Sequence, residues 1–108
     1  SVHCALTPET KHLISKNELA QMKKCHTFLN LARGEVINES DLLEHFQKNE
    51  IKLGLDVLKE EPFIEKSPLS SELKSERLLI TPHMAWASTQ ARNKLLKHIK
   101  DCLVRNIY

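Results

Sequence analysis

Short apolar runs alternate with amphipathic stretches along this chain, and the alternation predicts an α/β fold. Val2-His3-Cys4-Ala5-Leu6 reads as the end of a strand, stopped at Thr7-Pro8, because proline lacks an amide donor and restricts the residue before it. Ser15-Lys16-Asn17-Glu18 has the S-x-x-E spacing of a capping box and opens a short helix through Leu19 and Met22. Lys23 and Lys24 fall near its end, where the helix dipole favours cations. Thr27-Phe28-Leu29-Asn30-Leu31-Ala32 is a mostly apolar run ended by Arg33-Gly34, as expected of a strand covered on both faces.

Asn38-Glu39-Ser40-Asp41 opens a second helix, with Leu42, Leu43 and Phe46 on one face and a stop near Asn49. Ile51 to Val57 reads as the next strand, and Glu60-Glu61-Pro62 breaks the segment after it. Residues 63–76 read as a connecting loop with a serine cluster at Ser67, Ser70, Ser71 and Ser75. Leu78-Leu79-Ile80 is a last strand, stopped by Thr81-Pro82. Ser88 is an N-cap candidate for a long helix whose Ala91, Leu95, Ile99, Leu103 and Ile107 form one apolar stripe. Strand, helix, strand, helix, strand, loop, strand, helix is the order of an α/β domain with a parallel sheet.

Composition narrows the class. At 108 residues with 41% hydrophobic and 28% charged residues, the chain suits one small domain or a piece of a larger one. The formal charge of +2 gives no push towards nucleic acid. No apolar run approaches the roughly 20 residues of a membrane helix, and Ser1-Val2-His3-Cys4 has no signal-peptide pattern. Three cysteines argue against a disulfide scaffold and for a reducing, cytoplasmic compartment. With only Gly34 and Gly54, no glycine-rich phosphate loop can be built from these residues. His3-Cys4 and Cys25-His26 are adjacent pairs and lack metal-ligand spacing, so no metal is expected.

Ligands of open parallel sheets bind beyond the carboxyl ends of the strands. Arg33, Asp56, Glu61 and His83 all leave that edge. Each alone reads as an ordinary surface or loop residue. Together they make a chemical set: the arginine fork suits a carboxylate, and a carboxylate beside an imidazole suits proton transfer. The set points to a substrate with a carboxylate next to a carbonyl or hydroxyl. No side chain supplies a hydride, so a cofactor is implied.

Leu6-Thr7-Pro8-Glu9-Thr10, Asn30-Leu31-Ala32-Arg33-Gly34, Leu55-Asp56-Val57 followed by Glu61-Pro62, and Thr81-Pro82-His83 occur in an order and spacing that resemble the D-isomer-specific 2-hydroxyacid dehydrogenases. Thr81-Pro82-His83-Met84-Ala85-Trp86-Ala87-Ser88 looks most like the glycerate dehydrogenase (hydroxypyruvate reductase) branch. The resemblance implies half of a Rossmann-like, doubly wound parallel sheet with flanking helices. Residues 1–108 would be the C-terminal part of a dinucleotide-binding domain, a fragment of a larger subunit. It implies NAD or NADP as cofactor and a small 2-oxo or 2-hydroxy acid as substrate. It also implies pairing with the N-terminal half of the subunit and a homodimer, with no nucleic acid or membrane partner.

By the same resemblance Arg33 binds the substrate carboxylate, His83 is the general acid and base, and Glu61 is its partner. Asp56 lies near the nicotinamide, Leu31 and Ala32 line its pocket, and Cys4, Ala5 and Thr10 follow the adenosine side. His83, Met84 and Ala85 close over the nicotinamide, and Trp86 shapes the substrate pocket. A non-catalytic, nucleotide-sensing or corepressor-like module on the same fold is the alternative.

Overall fold

The computed structural model describes residues 1–22, 27–62 and 64–107. The expected basic helix end at Lys23 and Lys24 and the Cys25-His26 pair lie outside the described residues, as does the side chain of Ile107. The helices are α1 (Lys16–Gln21), α2 (Glu39–Lys48) and α3 (Thr89–Ile107); the strands are β1 (Thr27–Asn30), β2 (Lys52–Leu55) and β3 (Leu78–Ile80). The strands form one parallel sheet in the order β1-β2-β3, with Phe28 opposite Leu53 and Leu53 opposite Leu78.

The helix starts are set by their caps. The Glu18 carboxylate reaches back to accept from the Ser15 amide (3.0 Å) and hydroxyl (2.8 Å), which opens α1. The Asn38 side-chain oxygen accepts from the amides of Ser40 and Asp41 at 3.1 and 3.2 Å, which opens α2. Leu42 and Phe46, one helical turn apart, face the sheet and are buried with Leu19, Phe28, Ile51, Leu53, Leu55 and Leu69. Burial of each such side chain stabilises the fold by roughly 1.5–3 kcal/mol. The far end of α2 is closed by Arg77, whose guanidinium lies 4.4 Å from the Phe46 ring centroid and donates to the Asn49 carbonyl at 2.7 Å.

Two expectations need revision, the first strand and the long loop. The strand expected at residues 2–6 is reduced to an isolated parallel bridge between Val2 and Asn30, with the Val2 amide donating to the Leu29 carbonyl at 2.9 Å. Thr7, Pro8 and Thr10 then turn the chain away from the sheet before a ladder can extend. The expected loop at 63–76 contains two 3₁₀ helices, Ile64–Lys66 and Pro68–Glu72. Ser67 caps the second by accepting from the Leu69 amide at 3.2 Å, with Pro68 in the first helical position. In α3, Ser88 does cap by accepting from the Ala91 amide at 3.2 Å. Its apolar stripe, however, stands in the open: Leu95, Ile99 and Leu103 are 57%, 45% and 58% exposed. Among the described residues no helix is long and apolar enough to cross a membrane.

Candidate active site

Because the three strands run parallel, their carboxyl ends share one edge, and three connections leave from it. Behind β1, Asn30 is buried and folds the next three residues onto itself. Its side-chain oxygen accepts from the Ala32 amide and its nitrogen donates to the Arg33 carbonyl, both at 3.1 Å. This turn delivers Arg33, and Nη1 of Arg33 donates to the Ala32 carbonyl at 2.7 Å. Gly34 then passes directly beneath the backbone of Leu58 and Lys59; a Cβ there would lie 2.0 Å from the Leu58 carbonyl carbon. Its φ is not positive, so the position needs glycine for space rather than for conformation.

Behind β2, Leu58 leads into the loop that carries Glu61. One Glu61 oxygen accepts from the Leu58 amide at 3.0 Å, and the other lies 2.7 Å from Nδ1 of His83. The Glu61-Pro62 peptide is cis. Behind β3, His83 has φ 50°, a left-handed backbone that costs a non-glycine residue free energy unless its surroundings hold it. Two contacts do so: the His83 amide donates to the Thr81 carbonyl at 2.9 Å, and the His83 carbonyl accepts from Trp86 Nε1 at 2.7 Å.

Asp56 ties this last loop to β2. One of its oxygens accepts from the Thr81 hydroxyl (2.6 Å) and the Met84 amide (2.8 Å), and the other accepts from the Ala85 amide (2.8 Å). Burial pushes the Asp56 carboxyl up, but the hydrogen bonds from Thr81, Ala85 and Met84, aided by the nearby His83, outweigh it and hold the group below the ordinary aspartate range.

Arg33, Glu61 and His83, expected together from three distant stretches, line one cleft of 210 Å³ with Leu6, Gly34 and Leu58. Since Nδ1 of His83 is held by Glu61, Nε2 is the ring nitrogen left for a ligand. A second cleft of 440 Å³ is lined by His3, Cys4, Ala5, Leu6, Leu31, Ala32 and Arg33. The two clefts share Leu6 and Arg33, so they adjoin at these residues. The second cleft's walls combine small apolar side chains, with Leu31 41% exposed, and the polar His3 and Arg33.

Other expected residues have duties within the chain. The Asp56 carboxylate clamps Thr81, Met84 and Ala85. The Thr10 hydroxyl donates to the Ala5 carbonyl and accepts from the Thr7 amide, both at 2.7 Å. Trp86, 61% exposed, holds the His83 carbonyl. Sequence reasoning misses Asn30, Gly34, Glu39 and Thr81 as shaping residues. A polar residue closing an apolar strand is a usable signal for Asn30. No local signal marks Glu39, whose partners lie 20 and 28 positions away.

The family model for D-isomer specific 2-hydroxyacid dehydrogenase, NAD binding domain, matches residues 1–85. A hydroxypyruvate reductase from Blautia hydrogenotrophica is 35% identical over 108 residues, covering 99% of this chain and 31% of that protein. Among solved structures, the D-isomer specific 2-hydroxyacid dehydrogenase of Lactobacillus delbrueckii ssp. bulgaricus, in its NAD-complexed form, superposes with a TM-score of 0.75 at 31% identity. It covers 94% of this chain and 36% of that one. A homologous dehydrogenase from Xanthobacter autotrophicus Py2, in complex with NADPH and MES, gives a TM-score of 0.68 at 36% identity over 78% of this chain and 27% of that one. The chain spans about a third or less of the length of the curated relatives it matches.

Proposed function

We propose, from the premise that the chain belongs to the D-isomer-specific 2-hydroxyacid dehydrogenase family, that residues 1–108 form the C-terminal part of the dinucleotide-binding domain of a larger subunit. That subunit interconverts a small 2-oxo acid, of the hydroxypyruvate or glyoxylate type, and its D-2-hydroxy acid. The observation that carries the reading is the cleft in which Arg33, Glu61 and His83 meet. Bound NAD or NADP would supply or accept the hydride, with its nicotinamide beside Leu31 and Ala32 and its adenosine side along Cys4 and Ala5, residues that line one cleft with Arg33.

The chain's own residues account for the rest. Arg33 pairs with the substrate carboxylate through parallel N–H···O bonds, which fixes the carbonyl carbon and oxygen in place. His83 donates a proton from Nε2 to the carbonyl oxygen as a carbon–hydrogen bond forms, and takes it back in the oxidative direction. Glu61 accepts from Nδ1–H, which fixes the ring's orientation and tautomer and leaves Nε2 to the transferred proton. Asp56 and Trp86 hold the loop that carries the imidazole. An odd count of three cysteines in a chain this short suits a reducing compartment such as the cytoplasm. The family resemblance extends to a homodimer, which sedimentation of the complete subunit reads directly.

The test is kinetic, on the complete subunit with hydroxypyruvate and glyoxylate. Replacing His83 by Ala lowers kcat by about 10²–10⁴-fold while leaving cofactor affinity, read by fluorescence titration, within a few-fold. Near-normal turnover by that variant removes the proton-transfer assignment. A wild-type subunit that binds the dinucleotide yet turns over no 2-oxo acid favours the nucleotide-sensing alternative.

A further inference from the structure

Glu39 lies outside the cleft and touches none of the groups assigned to chemistry, yet its carboxylate spans the loop that carries Glu61. One oxygen accepts from the Lys59 amide at 2.6 Å and the other from the Ser67 hydroxyl at 2.7 Å. Those two partners flank the segment from Lys59 to Ser67, with Glu61 inside it. Glu39 is itself the first residue of α2, which is reached from the Arg33-Gly34 turn by way of the 3₁₀ turn Gly34–Val36 and the Asn38 cap. The loop bearing the carboxylate partner is therefore hung from the same element whose approach delivers the arginine. Beyond this carboxylate, Glu61 fastens its own loop through the Leu58 amide at 3.0 Å, and Gly34 lies beneath the Leu58–Lys59 backbone. Ser67 is buried and also caps the Pro68–Glu72 helix, so its hydroxyl donates to Glu39 while its oxygen accepts from the Leu69 amide.

We infer that Glu39 is a positioning residue, which sets where Glu61 meets His83 relative to Arg33 and acts on catalysis only through Glu61. The inference rests on the functional reading above. It accounts for a glutamate that spends both oxygens on hydrogen bonds outside its own helix, although an acidic side chain at a helix start already has a favourable place in the helix dipole. Glutamine in its place keeps one acceptor and turns the other into a donor. The Ser67 hydroxyl must then turn to accept, and both tethers fall from charge-assisted to neutral hydrogen bonds.

A double-mutant cycle on the complete subunit separates this role from general stabilisation. Glu39→Gln is expected to lower kcat for the 2-oxo acid about 10-fold, with KM for the dinucleotide unchanged. In a Glu61→Gln background the same change is expected to cost less than 2-fold, since the route through Glu61 is already gone. Ser67→Ala, which removes one tether and leaves the other, falls between wild type and Glu39→Gln and serves if Glu39→Gln does not fold. Additive losses in the cycle, or full activity in both single variants, overturn the inference.

A second readout needs no turnover. Amide hydrogen exchange at Leu58, whose amide is held by Glu61 rather than by Glu39, should quicken in Glu39→Gln nearly as much as in Glu61→Gln. Unchanged exchange at Leu58 overturns the positioning role whatever the kinetics show. If instead the wild-type subunit reduces no 2-oxo acid but exchange at Leu58 responds, the functional reading fails and the coupling stands.

Discussion

Replacing Gly34 by alanine tests how the two halves of the site are held at their spacing. The added Cβ would sit 2.0 Å from the Leu58 carbonyl carbon, 2.2 Å from its oxygen and 2.3 Å from the Lys59 nitrogen. All three are backbone atoms, so no rotamer change relieves the contact. The Arg33 turn and the Glu61 loop must separate by about 1 Å merely to reach the closest approach that packed carbon atoms tolerate. Overpacking of this kind costs about 1–3 kcal/mol, and clashing backbone on one side places Gly34→Ala at the upper end. A displacement of about 1 Å between groups that must align costs about 10²-fold in rate.

Gly54→Ala is the control. Among the described residues its Cβ would meet only Leu29 Cδ2, at 2.6 Å, the end of a flexible and partly exposed side chain. A cost of about 1 kcal/mol or less is expected there. Urea denaturation reads stability, and kcat/KM for a 2-oxo acid reads alignment, both on the complete subunit. If Gly34→Ala matches Gly54→Ala in both measurements, the close approach does not set the site, and the reasoning is wrong.

Other contacts carry expected outcomes of their own. Arg33→Gln is expected to raise KM for the 2-oxo acid by about 10²-fold, as a charge-assisted pair worth about 3 kcal/mol is lost, with dinucleotide affinity little changed; a KM within 3-fold of wild type contradicts the anchor. Asp56→Asn turns an amide N–H₂ towards one of the N–H groups of Met84, Ala85 or the Thr81 hydroxyl and should cost about 2–3 kcal/mol at neutral pH in urea denaturation. The Asp56 carboxyl is held below its ordinary range, so its contribution is present above the unfolded value of about 3.9 and is lost as pH falls through the lower folded value. The gap between wild type and Asp56→Asn should thus hold from neutrality to about pH 4 and narrow below it; a gap that widens on acidification contradicts the assignment. Phe46→Ala should cost about 3–5 kcal/mol, because the ring is fully buried and carries the Arg77 stack, measured by the same denaturation.

Much of the sheet is legible in the residues because each of its strands is short, apolar and bounded by a breaker. Asn38 announces its helix through a side chain that accepts from orphan amides one turn on, and Ser15 through the Glu18 carboxylate three residues on that reaches back to it. The convergence of Arg33, Glu61 and His83 is legible through one rule, that parallel strands send their carboxyl ends to a common edge. The features the residues do not reveal are long-range and made by backbone. Gly34 reads as the end of a strand, whereas its role is set by residues 58 and 59. Asp56 is expected near the nicotinamide, and nothing in the residues reveals that its oxygens hold three groups of a loop 25 to 29 positions on. The α3 stripe is plain as a pattern, yet a pattern does not name what lies against it. Val2 to Leu6 has the composition of a strand, but the turn held by Thr7 and Thr10 ends the pairing after a single bridge.

The pairing of Leu53 with Phe28 on one side and Leu78 on the other has a bearing on errors in synthesis and refolding. Along β2, Leu53 and Leu55 are buried while Lys52 is exposed. A shift of one position would bring Lys52 inside and carry Asp56 to the opposite face. Misalignment would therefore bury an amine and unfasten the imidazole loop in the same event. Chains with the wrong alignment would lose stability and the active-site geometry together, so a well-folded but miswired population has little chance to accumulate.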